Sequence, residues 1–298
     1  MPAERLDVTG GLLRDWPLPH PDGGKQARGQ VLVVGGSRQT PGAVLLAAVA
    51  ALRAGAGKLQ IATVDSVAAV LATVVPEALV QGLPETPDGA VSGSAAGQVR
   101  ELVEGARAVL VGPGMADAGH AGQIVRAVLD GAAASGEAPV VVVDALGLAH
   151  LGDHPDALRG LGGRAVLTPN PVELALMTGA DPHEVDDDPQ GRAVAAAERC
   201  SAVVALGAAE SYVAVPDGRC WVDSSGGPGL GVSGSGDAFA GLVTGLAARG
   251  AEPVQAAVWA AHLHGRAGDR LAARVGRLGY LAREIVDEVP LVLTELEA

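Results

Sequence analysis

Aromatic side chains are nearly absent from this sequence: three Trp, two Tyr and one Phe make up 2% of 298 residues. Proteins that hold single-stranded nucleic acid stack bases on exposed rings, so that class of function has little to build on. Positive charge is also short. Lys plus Arg number 21 against 34 Asp plus Glu, a formal net charge of −13. Nucleic acid and anionic lipid would both be repelled, and a phosphorylated ligand must be held locally by backbone amides, a few cations or a metal. Cysteine is confined to Cys200 and Cys220, too few for a disulfide framework or a four-thiolate zinc site. The longest apolar run near the N-terminus, residues 43–52, is about half of what a bilayer requires. The opening Met1-Pro2-Ala3-Glu4-Arg5 lacks the basic start and apolar core of a secretion signal. A cytoplasmic protein with neither a membrane nor a nucleic-acid partner is expected.

What is abundant is small and aliphatic. Hydrophobic residues reach 48%, so a sizeable core must be packed from Ala, Val, Leu and Gly, which suits close layers of helix on sheet. Val-rich runs recur at 31–34, 59–63, 109–111, 140–143, 165–167 and 202–206. They are short and mostly continuous rather than alternating, the pattern of strands buried on both faces of a parallel sheet. Ala/Leu-rich stretches of helical length lie between them, as at 42–54, 122–133 and 192–199. This alternation predicts right-handed βαβ units in an α/β, three-layer αβα sandwich with a mostly parallel central sheet. Pro216-Asp217-Gly218 between two β-prone runs predicts a hairpin, hence antiparallel strands late in the sheet. From Asp237 onward the chain reads as mostly helical, with Phe239, Leu242, Val243 and Leu246 on one face. No repeat or linker divides the sequence, so one domain over 1–298 is expected.

The strongest local signal is Gly234-Ser235-Gly236-Asp237 opening that amphipathic helix. Consecutive small residues let backbone N–H groups converge, and the helix start adds partial positive charge, so the turn predicts an anion hole. A carboxylate is an odd neighbour for phosphate unless it has work to do. Asp237 can take a proton from a hydroxyl as that oxygen attacks phosphorus. The plainer alternative makes Asp237 an ordinary helix cap.

Other candidates sit where parallel strands end, the rim at which open α/β sheets place their sites. Asn170 and Glu173 follow the run at 165–167 and can order Mg²⁺-bound water around phosphates; the plainer alternative is a helix opening. Asp144 ends the run at 140–143, Gly112 and Gly114 follow that at 109–111, and Gly36, Ser37, Pro41, Gly42 and Ala43 follow the first. Each is unremarkable alone, and their convergence on one rim carries the inference. His262 and His264 lie two apart on a helix, pointing to different faces, and read as packing or surface residues. Trp221 and Trp259 read as core or interface groups.

Taken together these loops resemble a known family. Gly234-Ser-Gly-Asp-Ala-Phe-Ala-Gly241 and Asn170-x-x-Glu173 are similar to signature sites of the ribokinase-like superfamily. Val31-Leu-Val-Val-Gly-Gly-Ser37, Pro41-Gly-Ala43, Ala51-Leu-Arg-Ala-Gly-Ala-Gly57, Val111-Gly-Pro-Gly-Met115, Val143-Asp-Ala-Leu146, Leu167-Thr-Pro-Asn-Pro171, Leu263-His-Gly265 and Ala267-Gly-Asp269 narrow it further. They resemble, in order over about residues 25–290, the ADP/ATP-dependent NAD(P)H-hydrate dehydratases. The resemblance implies a ribokinase-like fold and a repair reaction. The hydroxyl of hydrated NADH or NADPH is phosphorylated with Mg²⁺ and ADP or ATP, and phosphate is then eliminated. It implies Asp237 as base, Gly234, Ser235, Gly236, Asn170 and Glu173 at the nucleotide, and Glu173 reaching Mg²⁺ through water. Gly36, Ser37, Pro41, Gly42, Ala43, Gly112, Gly114 and Asp144 would hold the hydrated coenzyme. A homo-oligomer and a cooperating epimerase are the expected protein partners.

The chain departs from the family pattern at three places. Asn170-Pro-Val-Glu173 replaces His-Pro-Gly-Glu, Ala205-Leu206-Gly207 replaces Leu-Lys-Gly, and the segment from Gly227 to Asp237 replaces an Asn-initiated one. These departures bear on substrate contacts and on the choice between ADP and ATP. Two other readings stay open from sequence: a ribokinase-like small-molecule kinase that stops after phosphoryl transfer, and a nucleotide-binding protein without turnover.

Overall fold

The computed structural model describes residues 4–297. Met1, Pro2 and Ala3, part of the start read above for a secretion signal, lie outside the described residues. Ten strands form one sheet: β1 (Glu4–Asp7), β2 (Gln30–Val34), β3 (Lys58–Val64), β4 (Ala78–Leu83), β5 (Ala108–Val111), β6 (Val140–Val143), β7 (Ala165–Leu167), β8 (Val203–Gly207), β9 (Ser211–Ala214) and β10 (Arg219–Asp223). Their order is β1-β10-β9-β8-β7-β6-β5-β2-β3-β4. Among the described residues only β9 runs against its neighbouring strands; every other adjacent pair is parallel. The expected hairpin is present as β9 and β10, so the late antiparallel strands reduce to one reversed strand. Two strands escaped the sequence reading, β1 and β4, and they are the two edges of the sheet.

The continuous valine runs are explained by burial on both faces. Val31 and Val33 of β2 join the core on one side while Leu32 and Val34 join the core on the other. Val140 and Val142 of β6 face the first side and Val141 and Val143 the second. Helices Pro41–Arg53, Ser235–Ala248, Pro253–Arg274 and Ala282–Glu297 cover the first face. Helices Ala96–Val103, Ala118–Ala134, Pro171–Thr178 and Pro189–Cys200 cover the second, which completes the three-layer sandwich. Trp221 and Trp259 are buried in the first core, as expected.

Scarcity of aromatics is matched by very close helix contacts. A Cβ built on Gly241 would lie 2.2 Å from the carbonyl oxygen of Ala47, and one on Gly245 would lie 2.3 Å from that of Ala51. Helix Ser235–Ala248 therefore lies backbone to backbone against Pro41–Arg53, a fit that only glycine allows. That contact fixes the position of the helix start carrying Asp237. Among the described residues no helix is long and apolar enough to cross a membrane.

Strand order reverses between β2 and β5, because the chain runs outward through β3 and β4 and then returns to the other side of β2. A crevice at the carboxyl ends of the strands forms at such a switch point. The loops after β2, β5, β6, β7 and β8 all open toward that rim.

Candidate active site

A cavity of about 840 Å³ lies on this rim. Asp144, Asn170, Glu173, Gly234, Ser235, Gly236 and Asp237 all line it, so half of the candidates read from sequence meet in one place. The loops at Gly36–Ala43 and Gly112–Gly114 do not line this cavity. They pack on each other beside it: Gly36 N–H donates to Pro113 O at 2.7 Å, and Thr40 Oγ1 donates to Gly114 O at 2.7 Å. Ser37 Oγ and Thr40 Oγ1 lie 2.6 Å apart in a shared hydrogen bond. Gly112 touches the Asp144 end of this cluster, since a Cβ there would lie 1.9 Å from Asp144 O.

The turn is built as its composition suggests. Gly234 takes φ +89°, a left-handed conformation that favours glycine, and caps helix Ser235–Ala248. Asp237 is in the first helical turn rather than at the cap itself. The Ser235 N–H donates to Val232 O at 3.1 Å. The next two N–H groups, of Gly236 and Asp237, have no intrahelical acceptor and are the ones left for an anion. A Cβ on Gly236 would enter open space, so a ligand can approach the backbone there.

Of the four carboxylates that line the cavity, Asp144, Glu173 and Asp237 are raised above the usual carboxylate range. Burial, then the charge of Glu173, lifts Asp237 to about 6. Burial raises Glu173, opposed by a hydrogen bond from the Asn170 backbone. Asp144, fully enclosed at the end of β6, is raised well above the usual carboxylate range by burial and then by Glu173. Thr168 Oγ1 donates to Asp144 Oδ1 at 2.8 Å and partly offsets that. Ala145, beside it, holds φ +50°, a strained conformation for a residue with a Cβ.

Asn170 and Glu173 form a capping box at the start of helix Pro171–Thr178. The plainer reading of this pair is thus realised, and the same residues still face the cavity. Among the described residues no three His, Cys, Asp or Glu side chains cluster to ligate a metal directly. A cation here would be held through water and ligand oxygens, as Mg²⁺ commonly is.

Several lining residues carried no sequence signal. Glu210, in the turn between β8 and β9, accepts from Tyr212 Oη at 2.9 Å and pairs with Arg5 at 3.5 Å. Burial, then that bond to Glu210, pushes the Tyr212 phenol up to about 12. Ser225 lines the cavity with its hydroxyl and N–H on Asp223 Oδ1, and Asp223 Oδ2 lies 2.6 Å from His262 Nδ1. His262 is therefore buried and paired, in keeping with a packing residue. His264 is hydrogen-bonded as well, and it also stands in the cavity wall, with Nε2 2.9 Å from Ser235 Oγ. It packs against Phe239 and also lines the cavity, because helix Pro253–Arg274 lies against the helix that the glycine-rich turn opens.

The comparisons with known proteins point the same way. The family model described as NAD(P)H-hydrate dehydratase matches residues 31–291. An ADP-dependent (S)-NAD(P)H-hydrate dehydratase from Xanthomonas campestris is 46% identical over 97% of this chain and 96% of its own length. The ADP/ATP-dependent NAD(P)H-hydrate dehydratase of Bacillus subtilis, co-crystallised with ATP/Mg²⁺ and soaked with CoA, superposes with a TM-score of 0.81. It is 28% identical and covers 100% of both chains. A ribokinase-like superfamily protein from Enterococcus faecalis has the same fold, with a TM-score of 0.81 at 21% identity over 99% of this chain and 97% of its own. With its family matched almost from end to end and its cavity built at the expected rim, the chain belongs to the NAD(P)H-hydrate dehydratase family.

Proposed function

We propose that this protein repairs hydrated NADH and NADPH: a nucleotide phosphorylates the ring hydroxyl and phosphate is then eliminated to restore the coenzyme. The observation that carries the reading is Asp237, in the first turn behind an anion-binding glycine turn, inside a cavity and raised to about 6. A base with that pKa is largely ionised near neutral pH yet more basic than an ordinary carboxylate, a good compromise for taking a hydroxyl proton. The hydroxyl oxygen attacks the terminal phosphorus as Asp237 takes its proton. The bond from that phosphorus to the nucleotide's bridging oxygen breaks so that the shortened nucleotide leaves, and the Gly236 and Asp237 amides donate to the transferring phosphoryl group. Binding of the coenzyme is assigned to Gly36, Ser37, Pro41, Gly42, Ala43, Gly112, Gly114 and Asp144, beside the phosphoryl site.

The lining fits a nucleotide that brings its own cation. Asp144, Glu173, Glu210 and Asp237 are acidic, and among the described residues neither Lys nor Arg lines the cavity. A polyphosphate entering such a site needs its charge neutralised, and a bound Mg²⁺ would supply that positive charge. Glu173 is the residue assigned to hold the ion's water. ADP is the proposed donor, on the strength of the 46% identical relative's name.

The test is direct. Protein supplied with hydrated NADH, Mg²⁺ and either ADP or ATP should restore the absorbance of the intact nicotinamide and release phosphate in equal amount. If neither nucleotide restores it while a small alcohol is phosphorylated without phosphate release, the protein is a kinase and the repair reading fails.

A further inference from the structure

Phosphoryl transfer by Asp237 and the turn amides does not use the Ser235–His264 pair in the cavity wall. Helix Pro253–Arg274 approaches the site so closely that a Cβ on its Gly265 would lie 2.1 Å from Ser225 Oγ. From that helix His264 extends to the first residue of helix Ser235–Ala248 and meets the buried Ser235 hydroxyl at 2.9 Å. Phe239 packs against the imidazole in an edge arrangement, ring centroids 5.7 Å apart at 64°, and fixes its plane.

A serine hydroxyl has one proton to give. If Ser235 spends it on the imidazole, the oxygen turns lone pairs toward whatever sits at the turn, which opposes an anion. If the imidazole donates instead, the Ser235 proton is free to point at the anion. We propose that His264 is a positioning residue for the phosphoryl site: its Nε2–H donates to Ser235 Oγ and directs the Ser235 O–H into the cavity, as a third donor beside the Gly236 and Asp237 amides. The inference rests on the reading of this turn as the phosphoryl site. Burial lowers the His264 imidazole to about 4, so at neutral pH the ring carries a single N–H, and its placement decides what Ser235 can do.

The experiment is a double-mutant cycle on kcat and on the Kd for MgADP, with His264→Leu, Ser235→Ala and the double variant. Each single change should lower kcat by about 10–100-fold, the range for one lost hydrogen bond to a charged group. The KM for the hydrate and the cooperative thermal unfolding should move little. The double variant should lose no more than the worse single, because His264 acts only through Ser235. His264→Gln, whose amide N–H reaches the same oxygen, should recover most of the activity, and the shorter His264→Asn should not. Undiminished kcat in His264→Leu, or losses that add in full, overturns the proposal. Should His264→Leu fail to fold, equal kcat in the Gln and Asn variants overturns it instead. A wild-type protein that turns over no hydrate defeats the repair reading separately. The cycle on MgADP affinity then decides the pair on its own: a shared loss supports it and additive losses overturn it.

Discussion

Asn170 and Glu173 hold each other in a reciprocal pair of hydrogen bonds, Asn170 Oδ1 accepting from Glu173 N at 2.9 Å and Glu173 Oε2 accepting from Asn170 N at 2.9 Å. The box fixes a charged oxygen at the cavity wall, where its field helps raise Asp237. Glu173→Gln keeps the geometry, because Gln completes a capping box as Glu does. It removes the charge. With Asp237 as the proposed base, the acidic limb of kcat/KM against pH is expected near 6 and should therefore move to lower pH, with thermal stability nearly unchanged. Apparent affinity for Mg²⁺ should weaken in the same variant. A limb that stays in place would separate Glu173 from Asp237.

Asp237→Asn separates catalysis from stability. Loss of the base should cost about 10²–10⁴ in kcat while MgADP still binds. Stability should change the other way. The Asp237 pKa is raised in the fold to about 6 from 3.8. Its contribution is therefore fully present below the unfolded value and is lost as pH rises through the folded one. A shift of roughly 2 units corresponds to about 3 kcal/mol, and water at the cavity mouth reduces it to about 1–2 kcal/mol. The Asn variant should then be more stable than wild type by that amount near pH ~8, with the gain fading toward pH ~4. Chemical denaturation at several pH values checks the sign, and a variant less stable than wild type at high pH contradicts it.

The parts of the fold legible in the sequence are those whose surroundings are uniform. The run Val140–Val143 reads as a buried strand because each side chain meets a core, on one face or the other. β1, with the sequence Glu-Arg-Leu-Asp, and β4, with Gln81 and Gly82 in it, have no such pattern, since edge strands owe their form to a single neighbour. The site divides along the same line. Asp144 and Glu173 were readable because each follows a strand on a predictable rim. His264 and Ser235 lie 29 positions apart and meet only because two helices pack at that point, which no local spacing encodes. Glu210 was hidden for a similar reason: it belongs to the turn before the one reversed strand.

Two glycines of one helix should respond to alanine in opposite ways. Propensity alone favours Ala over Gly in a helix by about 1 kcal/mol, so both changes would stabilise if nothing else acted. At Gly241 the new methyl would meet the Ala47 carbonyl oxygen at 2.2 Å, and its carbon and Cα at 2.8 Å. Backbone atoms cannot rotate away, so the helices must part, and Gly241→Ala should lose about 1–3 kcal/mol despite its better propensity. At Gly236 the methyl meets nothing within 4 Å, so the fold should be unharmed. That open space is the approach to the amides proposed to bind the anion, and Gly236→Ala should bind MgADP at least about tenfold more weakly. Thermal unfolding and calorimetric titration of both variants decide the matter. Loss of stability must go with Gly241 and loss of affinity at full stability with Gly236; the reverse assignment would mean that the helix start does not face the nucleotide.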